Sequence, residues 1–306
     1  MDNRLDNSPF LPVKYDVIFR LFFADERNAD DLIAFLKSVL NLDEGDYQGI
    51  EIADPYLLPD YVGDKTAIID VKLHTKSGKV IHIEIQLKVT NAMRERVIFY
   101  DAKLITEQVG KSEKYGEIKK VISIIITEEP LIEASPRYHH RFTFYDPDAG
   151  VEFTDLIEIH TVELQKLPES TDGTDLYDWA KFIAAETEEE LDMVAQRNPQ
   201  IGKAAVKLRE LSADERARDM LERRLKGQRD LAMWVDEAEI RGRSEGRIEG
   251  RAEGRSEGRI EGRSEGRVEE RTDLARNMIL DGEPVEKIIR YTKFTMEEIK
   301  DLSKTR

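Results

Sequence analysis

The stretch that most limits how this chain folds runs from Thr66 to Lys88, where two alternating runs flank a short turn. From Ala67 to Leu73 the odd positions are Ala67, Ile69, Val71 and Leu73, with Asp70 and Lys72 between them. From Ile81 to Leu87 the odd positions are again apolar, and the even ones are His82, Glu84 and Gln86. Alternation of period two is what a strand requires to bury one face. Between the runs stands Lys76-Ser77-Gly78, and Gly78 suits the left-handed position of a three-residue hairpin loop with a bulge. A loop centred on Ser77 sets Ile69 against Ile85, Val71 against Ile83, Leu73 against Ile81, and Asp70 against Glu84.

Directly opposed side chains have Cβ atoms roughly 4.5–5.5 Å apart. At ~5 Å and an effective dielectric of about 20, two carboxylates repel by on the order of 3 kcal/mol. A divalent cation with hard oxygen ligands turns that repulsion into a site. Two plainer arrangements stay open on pattern alone: Lys72 and Lys88 neutralising the pair, or an even face that is ordinary solvated surface.

The flanking chain supplies layers for such a hairpin. Residues 1–12 read as a loose arm, and Val13 to Phe23 as a short amphipathic helix with Asp16 near its start, where a carboxylate favours the helix dipole. Asn28 reads as the N-cap of a core helix bearing Leu32, Phe35, Leu36, Val39 and Leu40. A weakly patterned strand follows near Ile50 to Leu58, and Asp64 reads as a turn residue. After the hairpin, Thr90 or Asn91 caps a helix running to about Val109, ended by Gly110, with Val97, Tyr100, Leu104 and Ile105 toward the sheet. Arg94 and Arg96 fall in its first turn, where cations are mildly unfavourable for the helix itself, so their placement hints at another role.

Val121 to Ile126 is too continuously β-branched to alternate and reads as a central strand buried on both faces. A strand or packed loop near Arg137 to Asp148 and an edge strand from Leu156 to Leu164 complete the sheet. His139 and His140 are adjacent, which in a strand points them to opposite faces and suits joint metal binding poorly. Near Pro168 to Thr174 the composition turns small and polar, which marks the end of this α/β core. Residues 175–238 then read as antiparallel helices.

From Arg241 to Arg267 a four-residue unit repeats, as in Gly242-Arg243-Ser244-Glu245. Within it Arg247 meets Arg251 and Glu245 meets Glu249 at i+4, and each glycine costs a helix about 1 kcal/mol relative to Ala. A lone helix is therefore disfavoured. The segment reads either as a charged linker or as a helix rescued by association, its glycine stripe allowing close approach of a second copy. Beyond it, Thr295-Met296-Glu297-Glu298 forms a capping box within a small helical unit.

Composition narrows the chemistry. The chain has 306 residues, no cysteine and a formal charge of −16. The lack of cysteine excludes disulfides, thiolate metal sites and cysteine nucleophiles. The opening residues are polar rather than signal-like, and no apolar run approaches the ~18 residues of a membrane span, so a soluble cytoplasmic protein is expected. The negative charge argues for weak or conditional affinity for any nucleic acid, because phosphate contacts usually require a basic face.

An acid on one strand, a hairpin turn, then Glu-x-Lys or Glu-x-Gln on the next is the core pattern of PD-(D/E)XK nucleases. Asp70 followed by Glu84-Ile85-Gln86 resembles its glutamine-containing variant. Lys14-Tyr15-Asp16-Val17-Ile18-Phe19-Arg20 ahead of a leucine-rich helix, the Arg94-Glu95-Arg96 to Tyr100 helix, and the Glu-Gly-Arg tail resemble the bacterial recombination-promoting nuclease (Rpn), transposase-like family. The resemblance implies a PD-(D/E)XK-like α/β core of mixed sheet flanked by helices over 1–168, a helical region over 175–238, the repeat over 239–271, and a small helical unit over 272–306. It implies a metal-dependent DNA endonuclease using Mg2+ (or Mn2+ or Ca2+), with recombination, mobile-element or defence links. Asp70, Glu84 and Gln86 would be catalytic, and Asp70 and Glu84, assisted by Asp16, would hold the metal. Arg94, Arg96, Lys72 and Lys88, or Gln108, would meet phosphate. Gln86 stands where these enzymes usually place a lysine, and an amide supplies neither charge nor a titratable proton; Lys72 or Lys88 would have to compensate. The partners implied are DNA and, through the repeat, further copies of the chain. The rival expectation is an inactive nuclease-like interaction protein assembled through that tail.

Overall fold

Burial of the chain begins ahead of its first helix. In the computed structural model, which describes residues 10–54, 56–57, 67–68, 70–109 and 114–304, Phe10, Leu11 and Val13 are already in the core. The expected loose arm is corrected there: Leu11 N–H donates to the buried Ser212 hydroxyl at 2.8 Å. The expectations for Pro59, Asp64, Ile69 and Gly110 lie outside the described residues.

Helices α1 (Asp16–Phe23) and α2 (Ala29–Val39) turn their phenylalanine and leucine stripes inward, followed by the short α3 (Glu44–Gln48). Asn28 does not cap α2 through its side chain; its amide donates instead to the Phe22 carbonyl at 2.8 Å, tying α2 back to α1. The strand expected from Ile50 is split into β1 (Glu51–Ala53) and β2 (Tyr56–Leu57), and β2 pairs with β3 (Ala67–Ile68). Then come β4 (Val71–His74), β5 (Val80–Gln86), α4 (Met93–Thr106), β6 (Val121–Thr127), β7 (His139–Asp146) and β8 (Val151–Glu163). α4 starts after Ala92, so neither Thr90 nor Asn91 is its N-cap.

The six-stranded sheet has the order β1-β4-β5-β6-β8-β7. β4 and β5 pair antiparallel in the register the loop dictates, Val71 with Ile83 and Leu73 with Ile81. The loop closes as a three-residue turn: Thr75 N–H reaches the Lys79 carbonyl at 3.0 Å, and Gly78 adopts φ +88°. β5, β6 and β8 run parallel, and β7 returns antiparallel along β8. The sheet is therefore mixed. The segment expected as an edge strand is corrected to an interior one, because β8 lies between β6 and β7, and β7 forms the edge.

One face of the sheet, carrying Ile81, Ile83 and Ile85 with Ile122, Ile124 and Ile126, packs against α1, α2 and the helices α5 (Asp175–Ala184), α6 (Glu188–Arg197) and α7 (Pro199–Ser212) in a single core. Phe23, Phe35, Trp179 and Phe182 meet edge-on or tilted within it, geometries that aromatic quadrupoles favour. α4 covers β5 and β6 on the other face through Met93, Val97 and Leu104.

The last long helix, α8 (Glu215–Leu280), takes in the whole repeat. The chain divides into two compact units, Met1–Lys226 and Gly227–Arg306. In the second, α9 (Val285–Thr292) and α10 (Met296–Lys304) gather Ala275, Ile288 and Ile299 into a small cluster. Thr295 and Glu298 form the expected capping box, with Glu298 N–H on the Thr295 hydroxyl at 3.3 Å and the Glu298 carboxylate on Thr295 N–H at 2.6 Å.

Candidate active site

The hairpin brings its acids to one place, but by a different geometry from simple opposition. Asp70 lies one residue before β4, outside the ladder, and its Oδ2 accepts a hydrogen bond from Ile85 N–H at 2.8 Å. Glu84, on β5, points to the α4 face and is only 4 % exposed. The even face of the hairpin is therefore not solvated surface: His82 is fully buried beside Glu84.

Glu84 Oε1 accepts from the Gln86 amide at 3.0 Å and lies 3.4 Å from an Arg96 Nη2 on α4. Its other oxygen, Oε2, is buried without a hydrogen-bond partner among the described residues. A buried carboxylate oxygen left so is costly, and such groups are rare unless a bound species completes them. Burial raises the pKa of Glu84, the nearby Asp70 charge raises it further, and Arg96 only partly offsets both. Asp70 is also raised, chiefly by burial; the Ile85 N–H opposes this, Asp16 adds to it, and Arg20 and Arg224 counter it. Both acids are thus held toward their protonated forms, chiefly by burial, with the Asp70 charge adding to the effect at Glu84.

Asp16 is the first residue of α1, near enough to Asp70 to act on its charge. Its Oδ1 accepts from Val17 N–H at 2.9 Å, and Oδ2 meets Arg224 Nη2 at 2.5 Å. That arginine belongs to α8, and nothing in the local sequence announces it. Arg96 is the other contributor that pattern reading placed only loosely: it was expected at phosphate and lies against Glu84. Arg94 points elsewhere, donating from Nη2 to the Leu131 carbonyl at 2.7 Å. Gln108 is used structurally, exchanging hydrogen bonds with the Lys119 backbone. Lys72 is corrected as a neutralising or compensating group, because its ammonium pairs with Glu107 at 2.8 Å. Lys88 is exposed.

Beneath α4 a second polar group was missed. Asp101, on the apolar stripe of the helix, meets His82 Nε2 at 3.0 Å, and Ser123 bonds to both, all three fully buried. An acid at the i+4 position from Val97 on an otherwise apolar face is the signal that would have found it. This network and the Arg96–Glu84 contact fasten α4 over β5.

Among the described residues no three acidic or histidine side chains gather closely enough to hold an ion unaided. The pair Asp70 and Glu84, with its unpartnered oxygen, offers the hard oxygen donors that a divalent cation prefers. His139 and His140 do point to opposite sides, the first to His160 and the second to Glu163, and they form no common site.

The sheet order, the paired acids and the helix over them are those of a nuclease-like α/β core. Residues 13–238 match the PD-(D/E)XK nuclease family transposases, and the chain belongs to that family. No curated protein and no solved structure gives a match. Among the described residues no helix is long and apolar enough to cross a membrane.

Proposed function

We propose that this chain is a metal-dependent DNA endonuclease that hydrolyses phosphodiester bonds in recombination, mobile-element or defence processes. The observation that carries the reading is the buried Glu84 carboxylate, one oxygen without a partner, held beside Asp70 in a chain of the PD-(D/E)XK nuclease transposase family. Asp70 and Glu84 would hold Mg2+, or Mn2+ or Ca2+, with Asp16 assisting through its charge. Bound there, the ion supplies Lewis acidity and a water of lowered pKa. The protein's part is placement. Ile85 N–H fixes the Asp70 carboxylate, Gln86 orients Glu84 and a neighbouring water by its amide, and Arg96 offsets negative charge near the phosphate. Lys88, exposed just beyond β5, would be a further phosphate contact, whereas Arg94 is turned to the Leu131 carbonyl. In this reading 1–168 forms the nuclease-like domain and 175–238 its helical support. The repeat at 239–271 associates copies of the chain, and 272–306 is a small helical unit.

A second reading, a nuclease-like core that regulates partners without cutting, draws on three observations. Gln86 replaces the lysine of the family pattern, Lys72 is occupied by Glu107, and Asp16 is occupied by Arg224. Incubation of purified protein with plasmid DNA and Mg2+ or Mn2+ separates the two. Cleavage that falls by at least about a hundredfold in Glu84→Ala supports the enzyme, a loss of the size seen when one charge-stabilising group is removed; equal, background behaviour of both proteins supports the partner-regulating reading.

A further inference from the structure

On the α4 face the sheet extends past its covering helix. Alongside α4, strands β6, β8 and β7 contribute Ile125, Ile159 and Phe142 to a cavity of about 840 Å3. Ile98 of α4 and Leu131 of the loop after β6 also line it. The loop wall is held in place. Buried Glu163 accepts from Leu131 N–H at 2.9 Å and Ile132 N–H at 3.1 Å, and Lys166 donates to the Ile132 and Ser135 carbonyls at 2.6 and 2.7 Å. A preformed, mostly apolar hollow of this size with a few placed polar groups has the character of a small-molecule site.

The polar groups define what kind of molecule fits. Arg94 is fixed at the cavity by its 2.7 Å bond to the Leu131 carbonyl, so its remaining guanidinium donors have a set direction. It sits in the first turn of α4, which has no side-chain cap; Met93 N–H is taken by the Thr90 carbonyl at 3.0 Å, which leaves the N–H groups of Arg94 and Glu95 at this end. Both features favour an anion at this end. Glu133 also borders the cavity and is exposed as Arg94 is, but among the described residues no hydrogen bond holds its side chain there, whereas Arg94 is pinned by Leu131. Inside, Thr161 is 2 % exposed, and the contacts of its hydroxyl to His140 Nδ1 and Glu163 Oε1 are long, 3.4 Å each, which leaves it able to serve a ligand. A nucleobase presents several edge atoms that would need partners, and Thr161 with Arg94 are too few to supply them. A hydrocarbon body matches the walls better.

We propose that this cavity binds a small carboxylate with a hydrocarbon body, its head on Arg94 and the start of α4, its chain against Ile125, Phe142 and Ile159. Ile125 lies across from Glu84 in the β5–β6 register, so the cavity adjoins the acidic pair, but neither Asp70 nor Glu84 lines it; the proposal stands whether or not the chain cuts DNA.

Calorimetric titration of the full chain with octanoate, octanol and octylammonium tests it. Octanoate is expected to saturate one site, octanol to bind about tenfold more weakly, as one charge-assisted hydrogen bond is lost, and octylammonium to bind weakest. Arg94→Gln, an exposed change, should weaken octanoate about tenfold and leave octanol unaltered. Ile159→Trp, which fills the hollow, should abolish both, with thermal unfolding reporting that the variant is folded; if it is not, Phe142→Ala takes its place and should weaken both. Absence of saturable octanoate binding by the unaltered protein overturns the proposal. So does octylammonium binding as tightly as octanoate, or octanoate affinity that is indifferent to Arg94→Gln.

Discussion

Glu84 concentrates the tension between stability and chemistry in this molecule. A carboxyl whose pKa is raised on folding binds its proton more firmly in the native than in the unfolded state. Its contribution to stability is therefore full at low pH and is lost as pH rises beyond the ordinary carboxylate range toward the raised value. The ion-free protein should accordingly melt higher at pH 5.5 than at pH 8, and Mg2+ should restore the loss at pH 8. Glu84→Gln removes the titrating group; its melting temperature at pH 8 without Mg2+ should rise by about 2–4 °C for each kcal/mol relieved, and the Mg2+ effect should vanish. Differential scanning calorimetry over the two pH values, with and without Mg2+, checks each point. At this scale the sequence was half legible. Asp70 and Glu84 stood out because a tight turn dictates which residues meet across it. Arg224 did not, because its meeting with Asp16 depends on how distant helices pack around the core.

The hairpin loop shows how much one element depends on its supports. Gly78 holds φ +88°, and a Cβ there would come within 3.2 Å of the Lys119 side chain. Gly78→Ala should cost roughly 1–2 kcal/mol, the penalty of the left-handed region for an L-residue, measurable by urea unfolding with the slope unchanged. Asp46 braces the same loop from α3, accepting from Ser77 N–H at 3.0 Å and from the Lys79 ammonium at 2.7 Å. Despite its burial, these partners lower its pKa from 3.8 to about 2. A lowered carboxylate stabilises above its unfolded pKa and loses that contribution as pH falls through the folded one. Asp46→Asn should thus flatten the acid-unfolding profile between about pH 4 and pH 2, followed by far-ultraviolet circular dichroism. The register of this hairpin was readable because turn chemistry is local. The position of β8 was not, since alternating burial looks the same in an edge strand and in one next to it. The helix caps were misplaced for a related reason: Thr90 and Asn91 both suit an N-cap, and tertiary contacts settled the start one residue later.

For the whole molecule the formal charge of −16 is the dominant field. Among the described residues the cations near the acidic pair are few and mostly engaged: Arg96 with Glu84 and Arg224 with Asp16, with Arg20 near Asp70 and Lys88 exposed. Binding of DNA by non-cleaving Asp70→Asn protein should therefore have a shallow salt dependence, a log–log slope of about −3 or less in magnitude, as for about three phosphate contacts. Fluorescence anisotropy across a salt series measures it, and a much steeper slope would mean that another surface engages the backbone. The mixed α/β class and its central buried strand were evident from patterning, whereas the sharing of one core by the sheet and helices α5 to α7 was not, because an amphipathic stripe does not say which surface it will meet. One detail of the hairpin reaches beyond geometry. Since the carboxylate of Asp70 is grasped by the main chain of the opposite strand, zipping up β4 against β5 and readying the acid for its task are one and the same event: a chain that has not closed this hairpin carries the residue, yet has nowhere to aim it.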